Sequence, residues 1–484
     1  MAGIVGIAEA GREQFIERGL DLVSHRGGAG RAARSHAGVT LACAWPEVQA
    51  GFAIGLDAHP VVLDGEIYNW TELASGATCA LEALHRAYLT EGPRFVNKLD
   101  GPFAIAMEGP RGLFLARDPV GKCPLYLGQA EGRLCFASEI KALAGWAKDI
   151  AEFPPGHCYE SESGLCQYVH TECCAPLTCA AEDIAAALCS RLVSAVRKRV
   201  GTPGAGIGVW LSGGLDSAAM AALASRQVPR LHTFSVGVEG APDLAFARAL
   251  ADYLGTVHHE LRCTREMMLT LLPEVVYRLE SFDALLVRSS VLNYLIGRLS
   301  SEYVPAVLSG EGGDELFAGY SYLKRLDPAD LTEELIDITG RLHNTALQRV
   351  DRCSASHGLV ARTAFLDRAV VEYALRIPPQ LKIVENGHTT EKWILRAALD
   401  GLIPGPILWR PKAKFWEGAG VGEQLAAHAE ERISDGEFEA ERRLPGLTLN
   451  TKEELLYYRL FRDAFGDSVD PQVVGRTKGA PVAR

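Results

Sequence analysis

Several things are missing from this sequence, and each absence narrows what it encodes. No apolar run approaches the roughly 18 residues that a membrane-spanning helix needs. The opening Met1-Ala2-Gly3-Ile4-Val5-Gly6 lacks the basic flank and cleavage site of a secretory leader. The chain therefore reads as cytoplasmic, with no membrane partner. Basic excess is missing too: 49 Lys and Arg stand against 60 Asp and Glu, a formal net charge of -11. That argues against sequence-independent binding of nucleic acid, which runs on Lys and Arg against phosphate. Twelve cysteines are present, six of them between Cys158 and Cys189 with Cys173-Cys174 among them. Their spacing is irregular, not the repeated short pairs of a zinc site, so they read as reduced thiols packed as small hydrophobes. No internal repeat is visible.

What is there has the balance of a globular protein: 484 residues, 48% hydrophobic and 23% charged, too long for one ordinary core. To about residue 170 the texture is short strands and turns. Apolar runs at Pro60–Leu63, Pro102–Met107 and Leu113–Ala116 are bounded by Gly, Pro and Asp, and one helical pattern covers Thr78 to Leu89. From about 182 the pattern changes. A helix is predicted over Glu182–Val200, a buried strand over Gly206–Leu211 and a helix over Ser217–Arg226. A strand follows at His232–Gly237, a helix at Leu244–Leu254 and a strand from Ala306. That alternation predicts a parallel sheet with helices on its faces. Domains are expected over 1–175 and 182–466, divided by the Cys- and Thr-rich stretch near 171–181, with a loosely ordered tail over 467–484.

The strongest local signal is Val209-Trp210-Leu211-Ser212-Gly213-Gly214-Leu215-Asp216-Ser217, a buried strand entering a Gly-Gly turn and then a helix. Glycines let the backbone approach a ligand closely, and the N–H groups at a helix start meet phosphate with the helix dipole behind them. The spacing is not that of the Walker loop, and no Lys-Ser/Thr follows. A second strand ends in Ser309-Gly310-Glu311-Gly312-Gly313-Asp314-Glu315. Ligands of open parallel sheets collect at the carboxyl ends of the strands, so Asp216 and Asp314 can face one another across a magnesium triphosphate, whose ion prefers hard oxygen ligands.

These two loops resemble the nucleotide loops of the asparagine synthetase family, in the PP-loop pyrophosphatase group. Further matches follow in the same order: Ser235-Val236, Gly240 to Asp243, His258-His259-Glu260, Glu280 to Asp283 with Arg288, Arg362 to Asp367, Glu391 to Arg396, Arg410-Pro411-Lys412 with Phe415 and Gly418, and Thr451 to Arg459. The resemblance implies an α/β parallel-sheet PP-loop synthetase domain with a helical C-terminal part. It implies a ligase that adenylates a carboxylate with ATP, releasing diphosphate, and then lets an amine displace AMP to form an amide. ATP would be held by Ser212, Gly213, Gly214, Leu215, Asp216 and Ser217, with Leu211, Val236, Ser309 and Gly310 lining the adenosine pocket. Asp216 and Asp314 would hold Mg²⁺. Lys412 and Arg288 would face the phosphates, stabilising charge that grows on the leaving diphosphate. Glu311 would act as base or orient the amine, and Asp351 matches an acidic position near this site. Glu311 stands where β-lactam and carbapenam synthetases carry Tyr, which favours asparagine-synthetase-like chemistry. Leu285-Leu286 replace the family's usual Thr-Thr pair and Val360 its usual Glu, so aspartate is not a safe substrate assignment.

Residues 1–170 resemble the family's class II glutaminase, an α+β N-terminal-nucleophile sandwich (αββα). The match is carried by His25-Arg26-Gly27, Asp64 to Asn69, Arg117-Asp118 and Ala137 to Leu143. Working members expose an N-terminal Cys whose thiolate attacks glutamine. Here residue 2 is Ala. The glutamine-clamping Arg aligns with Trp45, the Asn before Gly-Glu with Asp64, and the Asp that pairs with the glutamine amine with Thr78. Several losses in one pocket imply a degenerate glutaminase kept as a support, with His25 structural. The resemblance thus implies an amide synthetase fed by ammonia or an organic amine, acting on a small-molecule carboxylate in specialised, natural-product biosynthesis. The alternatives are an intramolecular lactam synthetase, an ammonia-dependent asparagine synthetase and a noncatalytic nucleotide-binding scaffold. PP-loop tRNA modification is disfavoured by the acidic charge. A homodimer is left open, since related proteins are commonly dimers.

Overall fold

The computed structural model describes residues 1–46, 54–55, 59–169, 175–201, 206–385, 389–412 and 418–478. Cys173, Cys174 and Phe415 lie outside them.

Two six-stranded antiparallel sheets make the N-terminal half. The first runs in the order Lys148–Glu152, Tyr126–Ala130, Arg133–Ala137, Gly3–Ile7, Val39–Trp45, Gly30–His36. The second runs Gly164–Gln167, His157–Glu160, Gly112–Arg117, Phe103–Gly109, Val61–Gly65, Ile54–Gly55. Strands such as Phe103–Gly109 are buried on both faces because helices cover the sandwich outside: Glu13–Leu22 on one side, Ala80–Glu91 on the other. This is the expected αββα arrangement.

The second half is built on a five-stranded parallel sheet in the order Val257–Arg262, His232–Gly237, Ile207–Trp210, Ala306–Ser309, Val360–Thr363. Ile207–Trp210 is central and wholly buried, and the order reverses direction there, between it and Ala306–Ser309. Such a switch point opens a crevice above the strand ends. Helices Ala181–Val200, Leu215–Ser225, Pro242–Leu254, Ala284–Ser301 and Ala346–Ala355 flank the sheet, and Lys452–Phe465 packs against the outer helices. The predicted elements fall within a few residues of these.

One expectation differs. Residues 467–478 are not loose: Val469 and Val474 are buried, Arg476 pairs with Glu454, and Thr477 donates both its N–H and its hydroxyl to Asp283, each at 2.9 Å. Lys478 Nζ lies 2.8 Å from Glu334 and 2.6 Å from Asp337. The ten cysteines of the described residues are free thiols, and none joins a metal-ligating cluster there. No described helix is long and apolar enough to cross a membrane.

Candidate active site

The two glycine loops meet at the carboxyl ends of Ile207–Trp210 and Ala306–Ser309. Gly213 has φ 71°, and a Cβ there would lie 2.7 Å from Phe246 Cβ and 2.8 Å from the Asp243 carbonyl oxygen. Only glycine fits both the backbone and the space. Gly310 approaches the other loop so closely that a Cβ would sit 2.9 Å from the backbone of Asp216 and Ser217. Ser217 ties the first turn together: its Oγ accepts from Ser212 N–H at 3.1 Å and donates to the Gly214 carbonyl at 3.0 Å. The start of helix Leu215–Ser225 thereby points its N–H groups at a cleft of about 560 Å³.

Leu211, Ser212, Asp216, Ser217, Val236, Ser309, Gly310, Glu311, Asp314 and Lys412 all line this cleft. Gly214 and Leu215 border a smaller recess beside it with Arg396, Arg410 and the two lysines Lys392 and Lys412, and Gly213 forms the turn between. Lys392 Nζ lies 2.5 and 2.7 Å from the two oxygens of Asp216 and 2.5 Å from Asp314 Oδ1. Lys412 Nζ lies 2.5 Å from Asp314 Oδ2. Burial works against the Asp314 charge, but the two ammonium groups outweigh it and hold the carboxyl below the usual range. Asp216 is pushed up by burial despite Lys392. Burial opposes the Lys412 charge as well, and Asp314 and Asp216 still hold its ammonium above the ordinary range. Asp314 Oδ1 makes no aligned hydrogen bond within the described residues. Two half-buried carboxylates that line one cleft fit the hard-donor set of Mg²⁺.

Lys392 was not singled out by its sequence. It lies within the family-like run Glu391 to Arg396, and its one distinguishing sign is structural, a non-glycine residue at φ 54°. The sequence assigns Arg396 and Arg410 no role either. Arg410 bonds Asp243 at 2.6 Å and the Gly213 carbonyl at 3.1 Å, which fixes the glycine turn from outside.

Arg288, expected at the phosphates, and Asp351, expected near Glu311, are elsewhere. Arg288 does not line the cleft: its Nε lies 2.8 Å from both oxygens of Glu453. On helix Ala284–Ser301 the cleft-facing positions are Leu285, Leu286, Ser289, Asn293 and Ile296. At about 100° per residue, Arg288 falls roughly a quarter-turn beside that stripe. Asp351 faces the N-terminal half, 2.8 Å from Arg26 Nη1. Its neighbour Arg349 reaches the cleft and bonds Glu311 at 2.6 Å; two residues along a helix is about 200°, the opposite face. Leu285 and Leu286 do make the cleft wall apolar, whereas Val360 is buried in its strand and does not line it. Glu315, in the same cleft, accepts from the Tyr320 hydroxyl at 2.5 Å; burial, then the charge of Asp314, pushes its carboxyl up to about 7.

At the amino end, Ala2 is buried and its carbonyl accepts from Arg26 Nε at 2.7 Å. Arg26 also bonds Asp64 at 3.0 Å, Glu139 at 2.9 Å and Asp351 at 2.8 and 3.2 Å, using all five guanidinium donors. Burial pushes Asp64 up to about 6 in spite of Arg26, and lowers the Met1 amine to about 6. Thr78 bonds Glu82 through its hydroxyl at 2.6 Å and its N–H at 2.7 Å, securing the start of helix Ala80–Glu91. Trp45 packs over Gly30, where a Cβ would lie 2.5 Å from the ring. His25 is partly buried 3.2 Å from Glu139, and the loss of solvent lowers it. The network continues through Glu139 to Arg352 at 3.0 Å and from Arg352 to Glu280 at 3.1 Å, joining both halves. Glu66 and Arg362 form a second bridge, through Arg362 Nε at 2.9 and 3.1 Å.

An antiparallel sandwich of N-terminal-nucleophile type fused to a PP-loop sheet with paired acidic and basic groups defines an amidotransferase-like synthetase of two domains. A family model described as asparagine synthase matches residues 187–337 and 327–478, and one described as glutamine amidotransferase domain matches residues 1–154. The chain is 35% identical over 436 residues to "Asparagine synthetase [glutamine-hydrolyzing] 2" of Oryza sativa subsp. japonica, spanning 84% of this chain and 74% of that protein. It is 34% identical to "Asparagine synthetase B [glutamine-hydrolyzing]" of Escherichia coli strain K12, over 84% of this chain and 79% of that one. A "Probable asparagine synthetase [glutamine-hydrolyzing]" of Schizosaccharomyces pombe is 33% identical over 96% of this chain and 94% of that one. The chain belongs to the asparagine synthetase family, and is thus an ATP-dependent carbon–nitrogen ligase that yields AMP and diphosphate.

Proposed function

We propose that this ligase has lost glutamine hydrolysis and joins a carboxylate of low polarity to free ammonia or an organic amine, in a specialised biosynthetic pathway. The observation that carries this reading is the pocket around residue 2. With Ala in place of Cys there is no thiolate to attack glutamine, and losing a nucleophile costs on the order of a million-fold in a comparable covalent hydrolase. Arg26, Asp64 and Asp351 are committed to one another there, which leaves no charged group of this set to receive a zwitterionic amino acid. The relatives named above are described as glutamine-hydrolysing, and this chain departs from them at that step.

In the cleft, Lys392 and Lys412 are placed to exchange carboxylate partners for phosphate oxygens, and the helix start at Leu215 adds N–H donors. Asp216 and Asp314 would hold Mg²⁺, which supplies neutralisation of phosphate charge. Glu311, held by Arg349, is placed to orient an incoming amine or take its proton. Leu285, Leu286, Ile296 and Ile338 give the cleft an apolar wall that suits an acyl chain less polar than aspartate. Glu311 argues against a lactam synthetase, and the retained acidic and basic groups of the cleft argue against a scaffold without catalysis.

The test is diphosphate release from ATP and Mg²⁺ with a panel of carboxylates, aspartate included, with ammonium and then glutamine as nitrogen source. Turnover is expected with ammonium or an amine, with no glutamate formed from glutamine. Glutamine-dependent turnover would sink the reading, and aspartate as the best substrate would sink its acyl part.

A further inference from the structure

Far from the cleft, three imidazoles gather around one buried carboxylate. His36 ends the strand Gly30–His36 of the first sheet, His59 precedes the strand Val61–Gly65 of the second, and Glu108 lies within Phe103–Gly109 of that second sheet. His36 Nδ1 is 2.6 Å from Glu108 Oε2, and His59 Nδ1 is 3.7 Å from the same oxygen. The ligand atoms of the three residues all lie within 4.8 Å of one another. His85, on helix Ala80–Glu91, stacks on His59 with ring centres 5.0 Å apart.

A single histidine would pair Glu108. A second ring turning its nitrogen to the same oxygen at 3.7 Å gains no hydrogen bond. Two imidazolium groups at one carboxylate would repel, whereas a divalent cation can be shared by two neutral rings and the carboxylate. Ligands bound at about 2.0–2.2 Å around a tetrahedral ion stand roughly 3.3 Å apart. The observed 2.6 and 3.7 Å to Glu108 bracket that separation, and the third pair lies within 4.8 Å, within reach of rotation of the two exposed rings. Glu108 is fixed by its N–H bond to the Pro60 carbonyl at 3.1 Å, and both histidines are exposed, which leaves coordination positions open to water.

We propose that His36, His59 and Glu108 form a binding site for a late first-row divalent cation of the Zn²⁺ type, which ties the two sheets together at this end of the sandwich. Two imidazoles and a carboxylate suit such ions, whereas Mg²⁺ prefers oxygens throughout. His85 buttresses the His59 ring from helix Ala80–Glu91 by stacking on it.

The experiment is Zn²⁺ binding to the full chain, stripped with chelator, in excess Mg²⁺ to fill the acidic pair of the cleft and with exposed thiols alkylated. One saturable equivalent and a raised melting temperature are expected. Affinity should fall on the order of ten-fold or more in Glu108→Gln and further in the double variant His36→Ala/His59→Ala. Co²⁺ in the same site should give a tetrahedral or five-coordinate visible spectrum without a thiolate charge-transfer band. Absence of saturable binding, unchanged binding in the double variant, or a thiolate band would each overturn the proposal. Both histidines are exposed, so the double variant is expected to fold, and its circular dichroism and its melt without metal establish that.

Discussion

In the synthetase half Lys392, 2% exposed in its recess, and Lys412, 29% exposed, grip two carboxylates that line an open cleft. In the N-terminal half Arg26 is 0% exposed, and every one of its donors already has a protein acceptor. The residue types are the same, acids against bases, and the chemistry they allow is opposite. Charges beside a cleft can exchange partners for a charged ligand. Charges sealed with their counter-charges are structural, since releasing one leaves the others unpaired at a cost of several kcal/mol. The two charge clusters thus differ within one chain: one borders an open cleft and the other is enclosed with its own counter-charges.

The comparison can be broken most decisively at Lys412. Lys412→Ala should lower the rate of ATP–diphosphate exchange by about 10²–10³-fold, the usual loss for one electrostatic donor at a developing charge. The melting curve should change little. A small kinetic effect would mean that Lys412 is as structural as Arg26.

Arg26→Met should do the reverse. It strands Asp64, Glu139 and Asp351 and is expected to destabilise the full chain by about 3–5 kcal/mol, read in a denaturant melt. Exchange by the remaining folded protein should be nearly unchanged. An equal loss in exchange at full folding would place Arg26 in the chemistry.

Asp64 sharpens the contrast through pH. Its folded value of about 6 lies above the ordinary Asp value near 3.9, so the folded chain binds more protons there than the unfolded one. Its stabilising contribution is therefore complete below about pH 4 and is lost as pH rises through about 6. Asp351 and Glu139 have the opposite sign. Burial opposes their charge but the surrounding cations win, so their contribution holds above the ordinary carboxylate range and is lost in stronger acid. Asp64→Asn should flatten the stability profile between about pH 4 and 6 and leave acid unfolding below about pH 4 in place. Melts across that range check it.

The smallest expected effect is that of Ala2→Cys. Trp45, Asp64 and Thr78 still replace the family's glutamine-binding residues, and burial pushes the neighbouring thiols Cys43 and Cys123 well above the usual range, so no glutaminase should return. Glutamate release above the parent's background would show that the pocket is still competent.

Much of the site was legible because glycine spacing is a backbone requirement, and the strand–turn–helix around Ser212 to Ser217 fixes its own local geometry. Which way Arg288 and Asp351 turn was not. A match in a helix names a position, while the face it presents depends on what packs on each side. Arg349 and Asp351 differ by two residues and serve different halves of the molecule. The strap at Arg476, Thr477 and Lys478 was read as loose because its composition is that of a tail; its anchors, Glu454, Asp283, Glu334 and Asp337, are distant in sequence. The His36, His59 and Glu108 cluster was illegible for the same reason.

The bond between Arg26 and Asp351 joins residues 325 positions apart. At about 5–20 residues per second, the acid is synthesised roughly 15–65 s after the base it serves. For that interval Arg26 can find only acceptors from its own half, Asp64, Glu139 and the Ala2 carbonyl. The first half of the chain therefore waits on the ribosome for a charge supplied by the second, and its folding is finished only when the two halves dock.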